Sequence, residues 1–173
     1  MSKILVAYKS RYGTTKKYAE WIAEDLDADI FDADNVKPEM LMDYDIVVYG
    51  AGLYAEQING VNLVTKTPCK KLIVFTVGLA DPKTADFSKC LMKNFTPARL
   101  SEIKAFHLRG AIEYAKLSFT HSMMMKVFLK TVLKKDVSQM SDEEKAIAAT
   151  NGRDVDFIDR GSIETLVEYV RAQ

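Results

Sequence analysis

The chain has 173 residues, room for one domain of ordinary size and too few for two, so a single domain over residues 1–173 is expected. Hydrophobic residues at 48% and charged residues at 28% fit a soluble globular chain with a buried core, and exclude a disordered or collagen-like one. Lys+Arg and Asp+Glu both number 24. No overall field therefore recruits nucleic acid, and a charge-driven partner has to meet a local patch.

Ile4-Leu5-Val6-Ala7-Tyr8 is a continuous apolar run of strand length, the pattern of a strand covered on both faces of a parallel sheet. A polar loop containing Gly13 follows. From Thr14 the period changes: Ala19, Ile22, Ala23 and Leu26 recur at helical spacing. Ile30-Phe31 gives a short second strand, Tyr44 to Tyr49 a third, Leu72 to Thr76 a fourth and Ala105 to Ala111 a fifth. A short crossover helix is expected over Ile58 to Thr65. Another is expected from Asp86 to Phe95, stopped by Pro97 because the residue before a proline leaves the α region. Ser162 to Val170, with Ile163, Leu166, Val167 and Val170 in phase, closes the chain. The expected fold is α/β, a doubly wound five-stranded parallel sheet with helices on both faces.

Residues 113–152 exceed what a minimal fold of this kind needs and form a helical insertion after strand five. An apolar helix runs from about Leu117 to Leu133. Ser141-Asp142-Glu143-Glu144 then carries the Ser and Glu spacing of a capping box. Asn151-Gly152 supplies the left-handed residue that ends that helix.

In an open α/β sheet, ligands bind beyond the carboxyl ends of the strands where strand order reverses, so the loops after strands one, three and four are the places to look. The first is Ser10-Arg11-Tyr12-Gly13-Thr14-Thr15. Running from a buried strand into a helix, it aims backbone N–H groups and the positive helix end at one point, which suits an anion. Gly13 permits the dihedrals of a wrapped loop, and Ser10, Thr14 and Thr15 add hydroxyls. The same residues also serve as ordinary helix caps. Neither a Walker lysine nor a GxGxxG fingerprint is present, which disfavours a nucleoside triphosphate or a dinucleotide.

At these residues the chain resembles the flavodoxin family, whose phosphate loop reads Thr/Ser-x-Thr-Gly-x-Thr. Ser10, Gly13 and Thr15 fall on matching places, whereas Tyr12 replaces a hydroxyl position, so Arg11 and the backbone carry more of the phosphate. The resemblance implies FMN as cofactor. It also implies that Gly50-Ala51-Gly52-Leu53-Tyr54, after strand three, faces the flavin ring, with Tyr54 or Leu53 against its face. Thr76-Val77-Gly78-Leu79, after strand four, would then meet the ring's pyrimidine edge. A packed tyrosine and an Asp81-Pro82 turn are the plainer readings of those two segments. A phosphorelay receiver needs acidic residues where Lys9-Ser10-Arg11 and Gly50-Ala51-Gly52 stand, and is strongly disfavoured. A flavin-free interaction module stays open.

Carrier flavodoxins are acidic and this chain is neutral. Ser-Arg-Tyr-Gly-Thr-Thr, together with Gly110-Ala111-Ile112-Glu113-Tyr114 before an apolar Lys-bearing helix, resembles the menaquinone-dependent protoporphyrinogen oxidase group of short flavodoxin-like proteins. The stretch from Tyr54 to Lys71 is shorter than in that group. This resemblance implies an oxidoreductase acting on an apolar tetrapyrrole with a quinone acceptor; a redox partner protein is the carrier's alternative.

Within 116–135 no Asp or Glu occurs, and Lys126, Lys130 and Lys134 lie four apart. That helix either rests on a membrane surface or packs on the domain's own core or a dimer interface. His107 and His121 are expected to be packed or solvated. Cys69 and Cys90 lack a CxxC spacing, and with two histidines they build no usual zinc site, so free thiols and no metal are expected. Met1-Ser2-Lys3 lacks the pattern of a secretory signal. The expected location is the cytoplasm, with contact to the inner face of the cell membrane if the helix rests there.

Overall fold

The computed structural model describes residues 2–173. Five strands, β1 (Ile4–Lys9), β2 (Asp29–Asp32), β3 (Ile46–Tyr54), β5 (Leu72–Gly78) and β6 (Lys104–Arg109), pair in parallel in the order β2-β1-β3-β5-β6. A two-residue strand, β4 (Gln57–Ile58), adds to the end of β3 in antiparallel fashion. Strand order reverses between β1 and β3, and the register Lys9↔Ala51, Ala51↔Thr76 and Gly78↔Arg109 brings the carboxyl ends of β1, β3, β5 and β6 to one edge.

Side-chain alternation sends the two faces of the central strands into two cores. Val6, Val48, Ile73 and Phe75 pack under α1 (Thr14–Leu26) and α7 (Glu164–Arg171), while Leu5, Ala7, Val47, Tyr49 and Val74 pack under the helices of the opposite face. Those helices are α2 (Asn62–Thr65), α3 (Ser88–Asn94) and α4 (Pro97–Glu102). The sheet is thus buried on both sides, as its continuous apolar runs require.

Several expected boundaries move. β3 continues through Gly50 to Tyr54, so this segment is strand and hairpin and not a loop. Gly50 serves packing: a Cβ there would lie 1.9 Å from the Phe75 ring. The turn falls instead at Ala55 and Glu56, both at positive φ (47° and 64°), the sense that matches the twist of a two-residue hairpin. Asn94 braces it, accepting from Ile58 N–H at 2.9 Å and donating to the Glu56 carbonyl at 2.7 Å. Ile58 therefore belongs to β4, and the expected helix over Ile58 to Thr65 shrinks to Asn62–Thr65. Pro97 does more than stop α3: it opens α4 at a first-turn position, where its missing N–H costs nothing, behind a Thr96 cap. β5 runs two residues past Thr76. The fifth strand ends at Arg109, and Ala111–Ile112 (β7) leaves the main sheet to pair antiparallel with β8 (Val155–Asp156).

The insertion holds α5 (Phe119–Val132), capped by Ser118, and α6 (Asp142–Thr150), started by the full Ser141/Glu144 capping box. Asn151 and Gly152 both take positive φ at its end, as the sequence predicts. Neither core cluster among the described residues contains a residue from 111 to 157. The helix does not pack into the domain's core: Val132 is the one fully buried residue of α5, and Phe119 (79%), Met124 (63%) and Val127 (60%) are exposed.

Candidate functional site

The carboxyl edge of the sheet is shaped first by the exit of β1. Ser10 Oγ accepts from the Gly13 N–H at 3.1 Å, which folds the loop back on itself. Gly13 sits at φ +91° as the residue before α1, a conformation that an L side chain reaches only with strain. No side chain caps α1. The N–H groups of Thr14, Thr15 and Lys16, in the first turn, have no partner within the helix and share the positive end of its dipole. No heavy atom lies within 4 Å of the position where a Cβ would stand on Gly13. The arrangement is of the kind that suits an anion. Thr15 is buried, while Arg11 and Tyr12 are exposed on its rim.

Beside it the β3–β4 hairpin carries Tyr54, 43% exposed, whose ring shields the Cβ side of Gly52 at 3.4 Å. Burial of part of the ring raises the Tyr54 pKa, opposed by the Arg11 charge. Ala51 is buried and Leu53 pairs with Ile58, so of this predicted segment Tyr54 presents the most surface.

The segment after β5 differs most from expectation. Thr76 and Val77 are buried strand residues paired with both β3 and β6, and Gly78 pairs with β6. The first backbone donors past the strand belong to Leu79 and Ala80, and both are taken by the Glu143 carboxylate of α6, at 2.7 and 2.9 Å. Burial raises the Glu143 pKa, resisted by those two N–H groups and by Arg109. The Arg109 side chain donates to the Leu79 carbonyl at 3.0 Å and covers the Phe157 ring at 3.6 Å.

The first turn of α5 closes the remaining side. Its His121 Nδ1 is hydrogen-bonded to the Tyr12 hydroxyl, and the imidazole lies 6.4 Å from the Tyr54 ring, centroid to centroid. One surface thus gathers Tyr12 of the first loop, Tyr54 of the hairpin and His121 of the insertion. Sequence reasoning did not place His121 or Glu143 here. A lone histidine on an apolar helix and one glutamate in an acidic first turn carry no signal of what they reach across the fold.

His107, on β6, meets Thr76 Oγ1 at 2.8 Å and stacks on Phe87 at 3.8 Å, with Nε2 buried and unpartnered. Burial drops its pKa to about 3, so it is neutral, and of the two expected roles, packed or solvated, it takes the packed one. Among the described residues no cluster of His, Cys, Asp and Glu could hold a metal, and no helix is long and apolar enough to cross a membrane.

A parallel, doubly wound sheet with an uncapped, glycine-led helix start at its reversal point defines an α/β domain of the doubly wound class, with a strand-to-helix turn of the kind that suits an anion. The flavodoxin domain model matches residues 5–139, and the chain belongs to that family. An uncharacterized protein of Methanocaldococcus jannaschii is 34% identical over 82 residues, covering 44% of this chain and 55% of that protein; the chain spans about half the length of this curated relative. Among solved structures, a flavoprotein from Lactobacillus acidophilus in complex with FMN is 15% identical over 63% of this chain and 93% of its own, with a TM-score of 0.42. An oxidised flavodoxin from Bacillus cereus is 19% identical over 62% of this chain and 86% of its own, again with a TM-score of 0.42.

Proposed function

We propose that this chain binds FMN non-covalently and works as a redox protein. The observation that carries the reading is the cradle at the end of β1, where an open left-handed Gly13 leads into an uncapped α1. The first-turn N–H groups and the Ser10 and Thr14 hydroxyls would hold one terminal phosphate, with Arg11 adding charge at the rim. A second phosphate and an adenosine find no dinucleotide fingerprint, which favours FMN over FAD. FMN, when bound, supplies one- and two-electron transfer. The chain's part is to fix the phosphate and to border the ring with Tyr54 and the backbone of the β3 and β5 ends.

Equilibrium titration of the purified protein with FMN and with FAD, followed by flavin fluorescence, tests this. FMN emission is expected to fall to a saturating plateau and FAD emission to stay unchanged. A protein that leaves FMN emission unchanged would return the chain to the interaction-module alternative.

A finer reading, an oxidoreductase of the protoporphyrinogen oxidase type that passes electrons to a quinone at a membrane surface, is favoured by α5. This helix touches the rim of the cradle through His121, exposes Phe119, Met124 and Val127, and carries no acidic residue. Sedimentation with anionic liposomes separates it from a diffusible carrier. Binding lost in high salt and in a Lys126/Lys130/Lys134→Glu variant supports the surface helix. No binding, together with no quinone-dependent oxidation of protoporphyrinogen, favours the carrier.

A further inference from the structure

Backbone N–H groups at the carboxyl edge of a sheet are the usual means of reading the polar edge of a flat ligand, and in this chain the pair just past β5 is occupied by the chain itself. Through Gly78 the backbone of β5 is committed: its strand pairs with β6, and the Gly78 carbonyl accepts from Gly110 N–H at 2.7 Å. Leu79 and Ala80 offer the next two donors, and each meets one oxygen of Glu143. The carboxylate presses against the strand end closely enough that a Cβ on Gly78 would lie 2.8 Å from both its oxygens. Asp142 adds a second tie, accepting from Asp86 N–H at 2.9 Å.

The two Glu143 oxygens hold two successive N–H groups that a carbonyl oxygen of a pyrimidine-dione ring would otherwise accept from. The element that delivers them is lightly held. α6 has one fully buried residue, Thr150, and α5 one, Val132, whereas α1 has six. Hydrogen bonds and thin packing, not a hydrophobic core, keep the carboxylate in place, and such segments open at little cost.

We propose that Glu143 is an internal ligand for the Leu79 and Ala80 N–H groups, and that α6 is a lid which must lift before the ring edge of a flavin can take them. The proposal rests on the FMN reading above. Binding then exchanges one acceptor group for another: a ring carbonyl replaces the carboxylate, and Glu143 returns to water. The lid sets the affinity for the ring end without touching the phosphate cradle, because Glu143 lies on the β5 side and the cradle on β1.

The test compares the full-length protein with its Glu143→Ala variant. Fluorescence titration is expected to give about tenfold tighter FMN binding by the variant, equivalent to about 1.4 kcal/mol of removed competition. Amide hydrogen exchange on the unaltered protein gives a second readout. At saturating FMN, residues 145–150 of α6 are expected to lose protection while the first turn of α1 gains it. Equal or weaker FMN binding by Glu143→Ala, or α6 protection unchanged by FMN, overturns the lid alone. Failure of both proteins to take up FMN overturns the FMN reading and the lid with it.

Discussion

The loop from Ser10 to Thr15 and the segment from 111 to 157 border the same edge of the sheet, yet they are held there by different forces. The first is fixed by what lies behind it. β1 is buried between β2 and β3, α1 packs five buried residues into a core, and the dihedrals of Gly13 follow from the short link between the two. The second contributes no residue to either core cluster and stays in place through polar contacts: Glu143 to Leu79 and Ala80, Asp142 to Asp86, and Tyr12 to His121. A preorganised donor set binds without paying to order itself, whereas a laid-on segment can leave. The comparison predicts that changes in the frame alter global stability, changes in the cradle alter affinity, and changes in the insertion alter local opening.

The largest effect belongs to the frame. His107 is locked neutral between Thr76 and Phe87, its pKa lowered to about 3 by burial. In the unfolded chain it titrates near 6.5, so the unfolded state binds the extra proton first as acid is added. The stability tied to neutral His107 is complete above pH 6.5 and is lost as pH falls from there toward 3, at a rate of up to about 1.4 kcal/mol per pH unit. Urea unfolding at successive pH values is expected to show this slope in the native chain and a flatter acid limb in His107→Leu. Identical limbs would mean that His107 is not held neutral by the frame.

Next comes the cradle. Gly13→Val meets no neighbour, since nothing lies within 4 Å of its Cβ position; the strain comes from φ +91° alone. A β-branched residue leaves that region, and the N–H groups of Thr14 and Thr15 turn away from their common point. FMN affinity is expected to fall at least tenfold, roughly 1.4 kcal/mol, by fluorescence titration. Unchanged affinity in a folded variant would remove the cradle from the binding site.

The same contrast explains which parts of the molecule the sequence revealed. β1, α1 and the loop between them were legible because buried strands, helical spacing and a glycine-led turn are local signals. The end of β3 was misread for a physical reason. Gly50 and Gly52 look like a loop, but Gly50 is small to admit Phe75, and β4 extends the pairing beyond it. The αL turn at Ala55 and Glu56 carries neither Gly nor Asn, so nothing local announced the hairpin. The capping box of α6 was legible from Ser141 and Glu144, one turn apart. The reach of Glu143 to Leu79, a separation of 64 residues, was not, because it depends on how the insertion folds back over the sheet. Ser10 to Thr15 leave the end of β1, Tyr54 ends β3 and Leu79 follows β5; their contact with FMN is a proposal that the titration above tests.

The smallest effect is expected in the insertion, and its smallness is the point of the comparison. Ser141 Oγ accepts from Glu144 N–H at 3.2 Å, and Ser141 N–H donates to the Glu144 carboxylate at 2.9 Å, so the box satisfies two orphan donors at the start of α6. Ser141→Ala removes the first of these bonds at a cost of about 1 kcal/mol to the helix. In a region tied to the global fold, that loss would lower the thermal midpoint by several degrees. In α6, which lies outside both core clusters, it is expected to raise amide exchange over residues 142–150 about fivefold and to leave the midpoint unchanged. Because the same helix presents Glu143, the opening also frees Leu79 and Ala80 more often, and FMN affinity is expected to rise slightly. A midpoint that falls in step with the exchange would instead tie α6 to the frame and join the two regions into one cooperative unit.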